Sequence, residues 1–306
     1  AFAVGLGLSF ALPVDRFPIE IERIVLLLVG SILVVAVMLY DDLIGASPVV
    51  KLAWQVAAAA VIIAPRLRGP DHGLVIEQMN SPFGGVIRLP VVVAMLFTLV
   101  WIVGMMNTLN WVDGLDGLAG SVTIITTAVL FLHTFFRPAG DPQFTISLLP
   151  VALGAAVLGF LPYNWHPARI FMGDVGAMFV GFALAIIAII GGAKIATALL
   201  ALWLPIVDVA WVIVYRGMNG RSPLQADRGH LHHRLLDLGW SQRRVVLLFA
   251  GISAALGLMA LLLPGPEMKL IVLVAGGIIG TILLAMLARR VERASGTNVS
   301  ELSRRL

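Results

Sequence analysis

The sequence predicts an all-α fold, a polytopic bundle of about ten transmembrane helices in which the first helix is incomplete. Hydrophobic residues make up 59% of the 306 residues and charged residues only 12%, whereas about a quarter of the residues of a typical soluble domain are charged. The mean hydropathy of +0.99 is also typical of a chain that lies largely in lipid. Because a bundle of this size uses the whole chain, residues 1–306 are predicted to form a single integral-membrane domain with a cytoplasmic tail at 289–306.

Long apolar runs account for the helices, because about 20 apolar residues cross the hydrocarbon core of a bilayer. The first run is too short to cross alone, and the chain begins inside it without an initiator methionine, which predicts a chain cut at its N-terminus. The segment Leu67 to Arg88, with Gly84 and Gly85 between short apolar stretches, is predicted to form a small hairpin. The apolar runs lie near 1–12, 24–40, 49–64, 89–106, 118–136, 144–161, 175–191, 195–214, 245–263 and 270–288.

The charges between the apolar runs predict on which side of the membrane the acidic motifs lie. If every run crosses once, all the acidic motifs and the histidine-rich segment fall on one side, which also carries more arginines. The positive-inside rule predicts that this side is cytoplasmic. The net charge of +4 is scattered over loops and is not interleaved with aromatic residues, which argues against a nucleic-acid-binding protein. The absence of cysteine excludes disulfides, thiolate metal sites and a cysteine nucleophile.

The first motif is the pair Asp41 and Asp42 at the end of the second run. Carboxylates are costly within a membrane, so acidic residues there indicate a functional site. Neighbours on a helix point a quarter turn or more apart, so one carboxylate can bind a metal while the other faces a substrate. Lys51 is the nearest cation and a candidate phosphate partner. The plain alternatives are a solvated pair at a helix end and a snorkelling lysine.

The second motif places Asn107, Asn110, Asp113 and Asp116 three residues apart, where one run ends and the next begins. This spacing keeps them on neighbouring positions of one helix face. A calcium loop would need a distal glutamate, which is missing. Four amide and carboxylate groups in so short a stretch favour recognition of a polar ring and a metal-bound phosphate.

The third motif lies just before the run near 175–191. It supplies the amide of Asn164, the guanidinium of Arg169, the aromatic ring of Phe171 and the carboxylate of Asp174. An aspartate at a helix start also favours the helix dipole, and Phe171 has packing as its plain alternative. In combination with the other two motifs, a metal-binding role for Asp174 is the stronger interpretation.

The fourth motif, His230, His232, His233 and Arg234, lies in the longest loop of the motif side. A zinc site is disfavoured because there is no cysteine and no His-x-x-x-His spacing. Histidines beside arginine bind anionic oxygens, with a solvated basic loop as the alternative. Asp208, inside an apolar run, is expected to pair with a polar neighbour or to line the site.

In this order the four motifs resemble those of the polyprenyl-phosphate N-acetylhexosamine-1-phosphate transferases (glycosyltransferase family 4), integral enzymes that start bacterial envelope glycans. The resemblance covers nearly the whole chain. The run from Gly229 to Leu235 looks like the branch that uses UDP-N-acetylglucosamine and undecaprenyl phosphate. Family members normally begin with a further helix and a basic loop, before the point at which this chain starts.

The resemblance implies a bundle of ten or eleven helices that requires Mg²⁺ or Mn²⁺. It implies that Asp174 binds the metal, that Asp41 and Asp42 form the essential aspartate pair, and that His230, His232, His233 and Arg234 recognise the sugar and the diphosphate. Asn164, Phe171 and Asp116 match the positions that hold the uridine. The expected reaction is transfer of N-acetylglucosamine 1-phosphate to undecaprenyl phosphate with release of UMP, with Asp41 orienting or deprotonating the lipid phosphate, or with an aspartate acting as nucleophile in a two-step route.

The expected setting is the bacterial plasma membrane, with the site on the cytoplasmic face, membrane lipid as a partner, a homodimer as one oligomeric option, and lipopolysaccharide or teichoic acid synthesis downstream. The alternative enzyme uses another UDP-N-acetylhexosamine or UDP-MurNAc-pentapeptide. The alternative of another class is an ion-coupled transporter, which predicts charges near mid-membrane and inverted repeats. The sequence has neither feature.

Overall fold

The computed structural model describes residues 1–81, 85–136, 143–192, 195–218, 220, 229–263 and 265–303. In these ranges the chain is almost entirely helical, with one short hairpin. The helices are α1 (Phe2–Ser9), α2 (Pro18–Ile44), α3 (Pro48–Ile63), α4 (Val91–Val112), α5 (Leu118–Phe135), α6 (Phe144–Asn164), α7 (Gly173–Ile190), α8 (Ile195–Ala201), α9 (Trp203–Met218), α10 (Leu231–Asp237), α11 (Gln242–Leu262) and α12 (Pro266–Ser303).

The helices confirm the predicted polytopic bundle. Within the described ranges, 8 helices are long and apolar enough to cross a membrane, and α8 with α9 gives a ninth span if that bent pair counts as one. The first helix, α1, is too short to cross, as its apolar run predicted. Helix α12 continues without a break to Ser303, so the residues of the predicted tail up to that point are helical, and their cytoplasmic location stays a prediction.

The run predicted as one helix over 195–214 is instead bent by 82° between α8 and α9. Pro205 lies in the first turn of α9 and has no backbone N–H to donate to the carbonyl four residues earlier. The backbone hydrogen bonds resume at Ile206, whose N–H donates to Leu202 over 3.0 Å. The bend therefore lies at Leu202, three residues before the proline.

The predicted hairpin is present. Strand β1 (Gln78–Asn80) pairs antiparallel with β2 (Val86–Arg88), and Gln78 lies opposite Arg88. A 3₁₀ turn, Ala64–Arg68, precedes it at the end of α3. Gly84, one of the two glycines used for the prediction, lies outside the described residues. The hairpin is at the end of the bundle away from the acidic motifs, because it joins the end of α3 to the start of α4.

Helix α7 forms the centre of the bundle and packs closely on α2 and α4. A Cβ atom built on Gly30 of α2 would lie 2.3 Å from the Phe182 ring, and one on Gly181 would lie 2.5 Å from the Met105 carbonyl oxygen of α4. Small residues of this kind let membrane helices approach each other closely. The ends of α2, α4 and α7 that carry the acidic motifs are therefore brought together.

Candidate active site

Lys51 lies between two carboxylates from different helices. Its Nζ atom is 2.5 Å from Asp41 Oδ2 and 2.9 Å from Asp174 Oδ2. The Nδ2 group of Asn110 donates to Asp174 Oδ1 over 2.9 Å. Asp41, Lys51, Asn110 and Asp174, here called the Lys51 cluster, come from α2, α3, α4 and α7. Lys51 thus contacts Asp41 of the predicted aspartate pair, and its role as a phosphate partner stays a prediction.

The two adjacent aspartates point in different directions, as predicted from their position on a helix. Asp41 is only 6% exposed, and its Oδ1 accepts the N–H of Ala46 over 2.7 Å. Asp42 is exposed. Gly45 ends α2 with φ 76°, a left-handed value that favours glycine, and so turns the chain back toward Asp41 and into α3.

Asn107 joins α4 to α3 through Gln55, a residue that the sequence interpretation missed. Asn107 Nδ2 donates to Gln55 Oε1 over 2.6 Å and to the Val103 carbonyl over 2.8 Å, and Gln55 Nε2 donates back to Asn107 Oδ1 over 3.3 Å. Gln55 lies four residues after Lys51, hence on the same face of α3, and this spacing was the available signal. The pair holds the helix of Lys51 against α4, and the substrate-binding role of Asn107 stays a prediction.

A cleft beside the Lys51 cluster brings together the three residues matched to uridine binding. Its volume is about 140 Å³. Burial, with a smaller contribution from Asp174 and Asp116, raises the pKa of Asp113 to about 7, although the N–H of Gly173 opposes the shift. The cleft is lined by Asp113, Gly114, Leu115, Asp116, Asn164, Phe171 and Met172.

Asp116 holds the loop after α6 against the turn before α5. Its Oδ2 is 2.8 Å from His166 Nδ1 and accepts the N–H of Ala168 over 3.1 Å. Arg243, at the start of α11, donates to the His166 carbonyl over 2.9 Å and 3.2 Å. Neither His166 nor Arg243 was singled out from the sequence, since nothing in the spacing shows that they meet Asp116.

Asn164 is almost fully buried and serves the same loop. Its Oδ1 accepts the N–H of Gly117 over 3.0 Å, and its Nδ2 donates to the Ile170 carbonyl over 3.0 Å. Phe171 is 73% exposed, so its ring is available to a ligand, and Arg169 is exposed beside it. The structure thus brings Asn164 and Phe171 to the cleft, which Arg169 does not line, and the substrate contacts of all three stay predictions.

The histidine segment, residues 229–237, is helical and partly buried and is not a solvated loop. Asp208 Oδ1 accepts the N–H of Leu231 over 2.7 Å, and its Oδ2 is 3.2 Å from His230 Nδ1. The expectation that Asp208 pairs with a polar neighbour is therefore confirmed.

His232 is 1% exposed and connects the histidine segment to the cleft. A Cβ atom on Gly114 would lie 2.5 Å from its Nε2. Within the described chain neither ring nitrogen has a hydrogen-bond partner. Burial, together with the neighbouring His233 and His230, lowers the pKa of His232 to about 3. The ring is therefore neutral at physiological pH.

His233 and Arg234 are partly buried on the same short helix. The Arg234 guanidinium carbon lies 5.9 Å from the centre of the Tyr215 ring. Its Nη1 is buried and lacks a hydrogen-bond partner among the described residues. Arg234 thus retains a donor that an anionic ligand would satisfy.

The oxygen donors near Lys51 fit Mg²⁺ better than a transition metal. In the described part of the chain, no three His, Cys, Asp or Glu side chains are grouped so as to hold a metal ion by themselves. Mg²⁺ usually binds through one or two carboxylates and relies on substrate phosphates for further ligands. Asp174 and Asp113 offer such carboxylates, and the Lys51 ammonium between Asp41 and Asp174 shows that a cation suits this position.

Comparison with known proteins places these motifs in a family. The model of "Glycosyl transferase family 4" matches residues 24–192. The decaprenyl-phosphate N-acetylglucosaminephosphotransferase of Mycolicibacterium smegmatis is 36% identical over 239 residues, 71% of this chain and 57% of that protein. A probable undecaprenyl-phosphate N-acetylglucosaminyl 1-phosphate transferase of Bacillus subtilis is 32% identical over 257 residues, 79% of this chain and 66% of its own length.

A relative with a different name matches as well. The phospho-N-acetylmuramoyl-pentapeptide-transferase of Synechococcus sp. is 32% identical over 232 residues, 72% of this chain and 61% of that protein. The chain thus spans about three fifths of the length of the curated relatives it matches. The family model covers more than half of the chain, including the Lys51 cluster and the cleft. The chain belongs to the glycosyl transferase family 4.

Proposed function

We propose that this protein transfers N-acetylglucosamine 1-phosphate from UDP-N-acetylglucosamine to a polyprenyl phosphate such as undecaprenyl phosphate and releases UMP. The observation that carries the proposal is the Lys51 cluster, in which a cation, two carboxylates and an amide from four helices meet at one end of the bundle. The names of the relatives from M. smegmatis and B. subtilis support the donor and the lipid class.

The reaction requires two anions to approach each other. An oxygen of the lipid phosphate attacks the β-phosphorus of the UDP-sugar, the bond from that phosphorus to the bridging oxygen breaks, and UMP leaves with the bridging oxygen. In such phosphoryl transfers, catalysis consists largely of positioning and charge neutralisation. Lys51 supplies a fixed positive charge at the place where these phosphates would meet.

We assign Mg²⁺, or Mn²⁺ in its place, to Asp174 and Asp113. When bound, the ion would neutralise phosphate charge and orient the diphosphate. Asn110 donates to Asp174 and so fixes the direction of that carboxylate. The same residues therefore prepare the acidic end of α7 for a cation.

In this proposal, Asp41 and Asp42 have different roles. Asp41 is buried and binds Lys51 and the N–H of Ala46, whereas the Asp174 side chain is 36% exposed, so Asp41 acts mainly by holding the Lys51 ammonium in place. Asp42 is exposed at the end of α2 and faces the incoming lipid phosphate, where it orients the group and accepts its proton. We therefore favour direct attack over a route with Asp41 as a nucleophile.

The cleft and the histidine segment bind the donor in this proposal. The exposed ring of Phe171 stacks on the uracil, and the loop fixed by Asp116 and Asn164 shapes the nucleoside site. Arg234, with its unsatisfied Nη1, and the adjacent histidines recognise the diphosphate and the sugar. UDP-sugars are cytoplasmic, so we place this end of the bundle on the cytoplasmic face of the bacterial plasma membrane.

The test is release of UMP in detergent with undecaprenyl phosphate and Mg²⁺, against an EDTA control. Three donors are compared side by side: UDP-N-acetylglucosamine, UDP-N-acetylgalactosamine and UDP-MurNAc-pentapeptide. We expect metal-dependent UMP release that is greatest with UDP-N-acetylglucosamine. The Synechococcus relative favours the pentapeptide donor as the second candidate, and faster turnover of that donor would establish it instead.

Because its relatives are longer, the 306-residue chain is assayed beside a version extended to their length. UMP release by either version supports the assigned chemistry. If neither version releases UMP with any of the three donors, the proposed function is wrong.

A further inference from the structure

A second large cavity lies at the opposite end of the bundle from the Lys51 cluster. It has a volume of about 360 Å³ and lies between the start of α2, the 3₁₀ turn with the loop that follows it, β1 and the end of α7. Arg23 lines it, and Arg23 and Asp41 are about 27 Å apart along the axis of α2 at about 1.5 Å per residue. The two sites are thus separated by about one hydrocarbon thickness, and the cavity lies near the other membrane surface.

Most charges at this cavity are paired with one another. Arg66 Nε forms a salt bridge with Glu77 Oε1. Both residues line the cavity, so that pair contributes little net charge. His72, a third lining residue, is 2.9 Å from Glu22 through its Nδ1 atom.

Arg23 differs, because its guanidinium has no direct partner among the described residues. Its Nε is buried without a hydrogen bond. The two acids that act on it electrostatically are Glu20 and Glu22. Glu20 Oε2 accepts a hydrogen bond from the Thr145 hydroxyl over 3.0 Å. Glu22 is hydrogen-bonded to His72 and to the N–H of Gly73. The cavity therefore contains a guanidinium with an unsatisfied donor, because the two neighbouring carboxylates are hydrogen-bonded to other groups.

We propose that this cavity binds the phosphate of an anionic membrane lipid headgroup, with Arg23 as its main ligand and Arg66 as a second. A guanidinium presents parallel donors that match phosphate oxygens, and basic pockets between membrane helices hold lipid headgroups. The volume exceeds what a phosphate alone would fill. Exposed apolar side chains nearby, Ile21 at 41% and Leu67 at 74% exposure, give the acyl chains a surface to lie on.

The experiment measures binding to the full chain in a neutral detergent by thermophoresis. The probes are short-chain phosphatidylglycerol, short-chain phosphatidylcholine and inorganic phosphate. Arg23→Gln is compared with Arg68→Gln, which removes an exposed arginine of the same end that does not line the cavity. We expect phosphatidylglycerol to bind more tightly than the other two probes. Arg23→Gln should weaken it roughly tenfold or more, while Arg68→Gln leaves it unchanged.

Glu77→Gln provides a test of opposite sign. It releases Arg66 from its salt bridge and removes a negative charge from the cavity wall, so phosphatidylglycerol should bind a few times more tightly, on the order of a single hydrogen bond. Melting temperatures without lipid show whether each variant is folded. Equal binding by the Arg23 and Arg68 variants, or weaker binding after Glu77→Gln, would overturn the site. Equal affinity for inorganic phosphate would overturn the lipid as its source.

Discussion

The Lys51 cluster and the histidine segment lie at the same end of the bundle but satisfy their polar groups in different ways. In the cluster, Lys51 and Asn110 each contact a carboxylate of another helix within 2.9 Å. In the histidine segment, His232 is more deeply buried, yet neither of its ring nitrogens has a hydrogen-bond partner in the described chain. A buried donor or acceptor without a partner costs about 1–3 kcal/mol.

The difference indicates that the two regions are ordered to different degrees before a ligand binds. The cluster is already organised, so its groups are held in place before any ligand arrives, which is how positioned charges act in catalysis. The histidine segment keeps unsatisfied groups beside the cleft at Gly114 and Arg234. In the proposed function, the donor satisfies these groups when it binds. Substitutions in the two regions should therefore have different effects on activity, donor binding and stability.

The largest expected effect is on the cluster, from Asp174→Asn. The variant keeps the shape of the side chain and removes the charge that we assign to the metal, so metal-dependent UMP release should fall by about a thousandfold, in the range seen when a key electrostatic group is lost. The melting temperature in detergent should change little. Asp15→Asn, an exposed aspartate near the start of α2, is the matched control. Turnover by Asp174→Asn at the unsubstituted rate would disprove the metal assignment.

Lys51→Met tests whether the cluster is held together by its cation. Without the ammonium, Asp41 remains buried and loses its ion-pair partner, which should cost about 2 kcal/mol of unfolding free energy, less than a fully buried pair because Lys51 is partly exposed. UMP release should fall as well. The measurement is unfolding in an SDS titration.

The double variant Asp41→Asn/Lys51→Met provides the control for this pair. Because it removes both charges together, it should be less destabilised than the sum of the single variants, with a coupling of about 1 kcal/mol or more. Strict additivity would show that the pair does not stabilise the fold.

The sequence sufficed to predict the polytopic fold and the cluster, because each acidic motif interrupts an apolar run. Asp41, Asn110 and Asp174 stand at run ends, and alternate crossings bring such ends to one surface. The bend before α9 was missed although Pro205 is present in the run, because a proline near a helix start is also compatible with an unbroken span. Composition and periodicity were therefore enough for the helices but not for their bends.

The partners within the site were harder to predict. Asp116 and His166 meet only because the turn before α5 packs on the loop after α6, a tertiary contact with no sequence periodicity. The run of histidines and arginine from His230 predicted a loop that binds anionic oxygens, with a solvated basic loop as the alternative, and its composition gave no sign that His232 is buried. The one signal was Asp208, a carboxylate within an apolar run, which had to have a partner.

Gly114→Ala tests the contact between the two regions. The new Cβ would lie 2.5 Å from His232 Nε2, so the ring must move, at a cost of about 1–3 kcal/mol of unfolding free energy and with weaker binding of the UDP-sugar. Adding His232→Ala should relieve the clash and recover part of the stability. Gly104→Ala in α4, where nothing lies within 4 Å of a new Cβ, should be neutral or slightly stabilising. Equal effects at the two glycines would contradict the contact.

At neutral pH the smallest expected effect is that of His232, which appears as a pH dependence of stability. Its pKa in the folded protein is about 3, below the ordinary value near 6.5 of an unfolded chain. Below pH 6.5 the unfolded state binds a proton that the folded state does not, so stability is lost as the pH falls, by up to about 1.4 kcal/mol per unit. Above pH 6.5 the histidine is neutral in both states, and stability no longer changes with pH through this group.

The free energy of unfolding, measured between pH 5 and 8, should therefore rise with pH, and His232→Gln should reduce this slope by about one proton. The control is His72→Gln, at an exposed histidine of the opposite end, which should leave the slope unchanged. A slope that survives His232→Gln would mean that the histidine segment opens to water, and the contrast with the Lys51 cluster would then disappear.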